Sequence, residues 1–131
     1  MEKEDYLKEK AIAFFKEAEY DISQKNWFLA AFHLEQSLQI FLKHCLFKKL
    51  GDFPKIHSLN ALLKEVEKVF PQAKDKILKI RKEKANIISD LNQAYISACY
   101  LPVEFNKFQV QNMYQFSRKL LEFLEKLCKK H

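Results

Sequence analysis

Apolar residues recur at three- and four-residue steps along almost the whole chain, the spacing that puts one stripe on each helix face. From about Lys3 to Lys25, the stripe is Leu7, Ala11, Phe14, Phe15, Ala18 and Ile22, with Glu4 and Asp5 suited to the positive helix end. Asn26 offers an N-cap to a second helix running to about Leu50, where Gly51 stops it and Pro54 prevents continuation. That helix carries two stripes. The main one is Trp27, Ala31, Leu34, Leu38, Phe41, Leu42 and Cys45, and Leu29, Ile40 and Phe47 form another on the far side. A helix apolar on two faces is buried centrally or meets a partner chain.

Ser58 can cap a short helix bearing Leu59, Leu62, Leu63, Val66 and Phe70, which Pro71 ends. Residues 72–99 hold no proline or glycine and read as one long helix with a candidate break near Lys82 to Lys84. Its stripe is Ile77, Ile80, Ile87, Ile88, Leu91, Tyr95 and Ala98. After Pro102, a last helix from about Asn106 to Lys129 carries Gln109, Met113, Phe116, Leu120, Leu124 and Leu127. Lys126, Lys129 and Lys130 suit its negative end. The expected architecture is all-α: an antiparallel up-and-down bundle of four long helices plus one short helix, forming a single domain over residues 1–131.

Composition sharpens this picture. In 131 residues there is one glycine, so hairpin-rich sheets are disfavoured and neither a GxGxxG fingerprint nor a GxxxxGK phosphate loop can be present. Hydrophobic residues at 48% exclude the disorder that follows from low hydrophobicity. The net charge of +6 permits contact with nucleic acid or an acidic protein. It rests on lysines, since only Arg81 and Arg118 can form bidentate forks. Cys45, Cys99 and Cys128 are an odd number, widely spaced and without CxxC, so no disulfide framework is expected and a reducing cytoplasm fits. The charged N-terminus lacks a signal-peptide pattern, and no apolar run is long enough to span a membrane.

Metal chemistry finds little support. The histidines are His33, His44, His57 and His131; His33 and His44 share a helix but stand about 16 Å apart along it at 1.5 Å per residue. There is no HExxH and no recurring Glu-x-x-His. Neither a metal nor another cofactor is expected. The pairs Glu65 with Glu67 and Glu17 with Glu19 read as solvated surface, and His57 reads as a locally bonded loop residue beside the Ser58 cap.

The residues Ala31-Phe32-His33-Leu34-Glu35-Gln36 ending in Leu42-Lys43, then His57-Ser58-Leu59, then Ala94-Tyr95-Ile96-Ser97-Ala98-Cys99-Tyr100, resemble the HEPN family. The opening from Ala11 to Tyr20 resembles that family's first helix. The resemblance implies a bundle of four to five helices that dimerises, in small prokaryotic proteins often encoded beside a minimal nucleotidyltransferase as toxin and antitoxin. It also implies metal-independent RNases that use Arg followed after four to six residues by His. That motif is absent here: Arg81 has no histidine downstream before His131, and Arg118 is separated from His131 by twelve residues. Cys99 stands where this branch often has arginine.

The expectation is therefore a non-catalytic module that homodimerises and pairs with a small nucleotidyltransferase in a toxin-antitoxin-like system, binds nucleotide or RNA, or does both. The ligand-binding candidates are His33, Gln36, Lys43, His57, Tyr95 and Tyr100, and the dimer candidates are Leu29, Ile40 and Phe47. Lysines can hold phosphate and tyrosines can stack on a base. The alternatives are an RNase using His57 with Tyr95 and Lys43, and a purely structural helical adaptor.

Overall fold

A computed structural model describes residues 3–102 and 104–129, without the side chains of Lys3, Glu4 and Ala98. Among the described residues, six α-helices follow in order: α1 (Lys3–Ser23), α2 (Trp27–Leu50), α3 (Leu59–Val69), α4 (Lys74–Glu83), α5 (Ala85–Tyr100) and α6 (Lys107–Lys129). A single 3₁₀ turn, Pro71–Ala73, joins α3 to α4. No strand occurs among the described residues. The roles expected of Glu4, Ala98, Lys130 and His131 fall outside what is described.

α1 and α2 form an antiparallel hairpin, in which Ser37 Oγ donates to the Ala11 carbonyl at 2.7 Å. Its turn corrects the expected cap. Lys25 adopts a left-handed φ of 60°, Lys25 N–H bonds the Ile22 carbonyl at 3.0 Å, and Asn26 N–H bonds the Asp21 carbonyl at 2.8 Å. This is a Schellman closure of α1, and the Asn26 side chain makes no cap bond to α2. The other end of α2 follows expectation: Gly51 sits at φ 79° and its N–H bonds the Phe47 carbonyl at 2.7 Å.

α2 is the central helix, packed against α1, α3, α5 and α6. Ala31, Leu34, Leu38, Leu42 and Cys45 are fully buried, and Phe41 nearly so. Each large side chain so buried contributes about 1.5–3 kcal/mol relative to exposure. The central position accounts for both apolar stripes within one chain. Leu29, Ile40 and Phe47 are half-buried, and Phe47 packs its ring against Phe53.

Ser58 caps α3 as expected, its side chain accepting from Ala61 N–H at 3.2 Å. A second free N–H of that helix, Leu59's, is satisfied by Asn92 Oδ1 of α5 at 3.0 Å. The long helix expected over residues 72–99 is instead two, broken at Lys84. Arg81-Lys82-Glu83-Lys84 has no apolar side chain to anchor that turn, while Arg81 is held sideways by Asn60 Oδ1 at 3.0 Å and Glu67 Oε1 at 2.6 Å. After the break Ile88, Leu91 and Ala94 face the core. Tyr95, expected in the buried stripe, is 44% exposed.

In α6, Val110 takes the buried place expected of Gln109. Gln109 instead completes a capping box: its Oε1 accepts from Asn106 N–H, and Asn106 Oδ1 accepts from Gln109 N–H, both at 2.9 Å. The remaining stripe, from Met113 to Leu127, is buried. The expected absence of disulfides is overturned at the same helix. Cys45 and Cys128 are 83 residues apart, but packing of α2 on α6 brings their Cα atoms to 5.7 Å and their sulfurs are bonded. Only Cys99 is a free thiol, and it is exposed. The inference of a reducing compartment from free cysteines therefore loses its premise. Among the described residues, no helix is long and apolar enough to cross a membrane.

Candidate functional site

The most concentrated polar chemistry lies where α2 meets the segment between Gly51 and Ser58. Glu35 follows Leu34 and precedes Leu38 by three residues, so helical phase turns it inward with the core stripe. It is 1% exposed. Two side-chain amides donate to it, Gln36 Nε2 at 2.7 Å and Gln39 Nε2 at 2.8 Å. Burial pushes the Glu35 carboxyl from 4.5 up to about 7, against the downward pull of the Gln39 and Gln36 hydrogen bonds and the charge of Lys43.

Gln39 passes this arrangement outward. With its Nε2 committed to Glu35 and, at 3.3 Å, to the His57 carbonyl, its Oε1 faces two donors. Lys43 Nζ reaches that oxygen at 3.2 Å, and His57 Nδ1 at 3.0 Å. Because Gln39 Oε1 can only accept, His57 carries its proton on Nδ1 and, when neutral, presents Nε2 as a lone pair. Lys43 is one helical turn beyond Gln39, and the loop's Phe53 ring lies 5.7 Å from its Nζ. Burial lowers the Lys43 ammonium below its ordinary value, and Glu35 opposes that shift. His57 is exposed and Lys43 half-buried, so a buried protonable acid is connected through one amide to two nitrogen groups at the surface.

Three of the expected ligand residues, Gln36, Lys43 and His57, thus share one network. The long-range bond of His57 to Gln39 replaces the local bonding expected of it. The other three lie elsewhere. His33 turns to α1, where its Nδ1 meets Asp21 Oδ2 at 2.5 Å and its ring lies 5.8 Å from that of Phe14. Tyr95 stands beside Phe32, ring centroids 6.2 Å apart, and Tyr100 is 77% exposed at the end of α5. Glu35 and Gln39 were not among the expected residues. A visible signal marked them: an acid inside the apolar stripe of α2, followed by an amide one turn later.

Both arginines are engaged within the chain, Arg81 with Glu67 and Arg118 with Glu122 at 3.2 Å. This corrects the reading of Glu67 as solvated surface, since it is only 13% exposed in its side chain. Glu19 likewise has a partner, accepting from Tyr114 Oη at 2.7 Å. The described residues contain no group of three or more His, Cys, Asp or Glu side chains able to hold a metal ion.

No curated protein and no solved structure matches the chain. A family profile for the HEPN domain does match, over residues 5–127, from the start of α1 to near the end of α6. The match takes in every helix that builds the Glu35 network, and the chain belongs to the HEPN domain family.

Proposed function

We propose that this HEPN domain is a non-catalytic binding module that takes a phosphate-bearing ligand, a nucleotide or an RNA strand, at Lys43 and His57. The observation that carries the reading is the convergence of Lys43 Nζ and His57 Nδ1 on the single Gln39 oxygen. It holds two potential cationic donors in a fixed relation at the surface. Burial keeps the Glu35 carboxyl within reach of a proton at neutral pH, against the pull of Gln36 and Gln39, so no full opposing charge stands behind them. Lysine binds phosphate as a point charge, which suits a site whose arginines are occupied elsewhere. Absence of the Arg-x4-6-His motif supports binding without cleavage.

Fluorescence anisotropy with a labelled single-stranded RNA, competed by ATP, tests this reading. Binding should weaken with added salt and fall about tenfold in Lys43→Ala. Salt-insensitive binding, or binding unchanged in Lys43→Ala, would refute it.

The rest of the reading concerns partners. The half-buried Leu29, Ile40 and Phe47 retain apolar surface for a second copy, and family membership supports pairing with a minimal nucleotidyltransferase. A monomeric mass by light scattering at micromolar concentration contradicts the homodimer. Co-purification from the native cell checks the nucleotidyltransferase. One observation favours a second reading, an RNase: His57 has its tautomer set by Gln39, as a general base requires. RNA cleavage that survives chelator and vanishes in His57→Ala would establish that reading in place of the first.

A further inference from the structure

A groove of about 360 Å³ runs between α4 and α5 on one side and α6 on the other, on residues that take no part in the Glu35 network. Its floor is apolar. Phe116 and Leu120 rise from the core at 8% and 4% exposure, and the half-buried Ile80, Ile87 and Phe123 close the sides. Lys76, Lys84 and Lys119 stand around it, and none of its lining residues is acidic. Lys76 Nζ of α4 lies 4.8 Å from the Phe123 ring centroid of α6, so an ammonium and an aromatic face meet between the two sides.

The break at Lys84 lies at this groove, and Lys84 is one of its lining residues. An uninterrupted helix over residues 72–99 would carry Ile80 and Ile87 along one regular stripe against its neighbours. Ile80 of α4 and Ile87 of α5, on either side of the break, are instead only half-buried, and both line the groove. The groove between α1 and α6 provides the contrast. It is smaller, about 230 Å³, and its rim carries Arg118 and Glu122, already paired with each other at 3.2 Å. An anion approaching there meets a neutralised rim. At the α4/α5–α6 groove it meets lysines alone.

From this geometry we infer that the α4/α5–α6 groove binds a small amphiphilic anion, an aliphatic or aromatic body bearing a carboxylate, sulfonate or phosphate. The apolar part is drawn out of water onto Leu120, Phe116 and Ile87, and the anionic group is held at the rim by Lys84 or Lys119. The volume suits a small molecule: ligand sites of this kind run from about 300 to 1,000 Å³ and are mostly apolar with a few placed polar groups. Asn112 and Gln115, also on the rim, supply amides for a polar headgroup.

The probes are 1-anilinonaphthalene-8-sulfonate, read by fluorescence, and dodecanoate as its competitor, with dodecyltrimethylammonium as the matched cation. Amide chemical shifts locate the site, and circular dichroism melts confirm that each variant stays folded. Saturable binding displaced by dodecanoate but not by the cation is expected, with shifts confined to α4, α5 and α6. Binding should weaken about tenfold in Lys84→Glu/Lys119→Glu, whose altered side chains are exposed and leave the core intact. Equal displacement by the cation, unchanged affinity in the double variant, or shifts centred on the exposed Tyr95, Tyr100 and Leu101 each overturn the inference. So does binding of an acidic amphipathic peptide without any response to dodecanoate, which assigns the groove to a protein partner instead.

Discussion

Asp21 and Glu35 are both buried carboxylates that meet α2, at 4% and 1% exposure, and their surroundings differ in one respect. Asp21 has a basic ring in direct contact, His33 Nδ1 at 2.5 Å. Glu35 has two neutral amides, with Lys43 acting only through its charge at a distance. A carboxylate with a directly bonded basic partner is satisfied and serves to join α1 to α2. Glu35, buried without such a partner, holds its proton into the neutral range because burial penalises its charged form, and its own charge then depends on pH there. Two acids of similar burial are thus held differently, Asp21 by a basic ring and Glu35 by neutral amides.

The largest effect should come from breaking the satisfied pair. Asp21→Ala leaves His33 half-enclosed without its acceptor and should cost about 3–4 kcal/mol by urea unfolding. A loss below about 1 kcal/mol would mean that the pair carries little and that the contrast with Glu35 fails.

Next is the pH dependence of stability. The Glu35 carboxyl binds its proton more tightly folded, at about 7, than unfolded, at 4.5. The folded state therefore holds more protons in that window, and stability falls as pH rises from 4.5 to about 7, levelling off above. The drop should be about 3 kcal/mol. Glu35→Gln, which cannot ionise, should lack this component when unfolding free energies of the two proteins are compared across pH. Parallel curves would show Glu35 ionised throughout.

A smaller loss is expected from Gln39→Leu. It removes an amide donor from Glu35 and the shared acceptor of Lys43 and His57, costing about 1–2 kcal/mol. RNA affinity should fall with it, as far as in Lys43→Ala; unaltered affinity would show that Lys43 acts without positioning. The smallest effect, about 1 kcal/mol by thermal unfolding, should follow Ser58→Ala, which removes the α3 cap next to His57. If RNA binding drops more than stability does, the cap also positions the imidazole.

Much of the fold was legible because it rests on local rules. The stripes of α2 and α3, the Gly51 stop, the Ser58 cap and the weak turn at Lys82 to Lys84 depend on residues within one or two helical turns. Where the reading missed, a competing local structure won or a distant partner intervened. Asn26 was taken by the Schellman closure of α1, and Gln109 by its capping box with Asn106. Three of the five residues in the candidate site were legible too: Gln36, Lys43 and His57 came from their residue types and from the family resemblance. His33 was misplaced because the sequence alone does not reveal that Asp21, across the hairpin, is its partner.

By itself, the sequence determined an all-helical chain, the extent of most helices, the two apolar faces of α2 and the lysine character of its charge. Periodicity, capping and composition act over short distances and can be read in one dimension. Only the tertiary structure decided that Cys45 bonds Cys128, that Arg81 is consumed by Glu67, and that His57 joins Gln39 and Glu35. Those outcomes depend on which helix faces come together, and no spacing rule along the chain encodes a meeting between residues 18 or 83 positions apart.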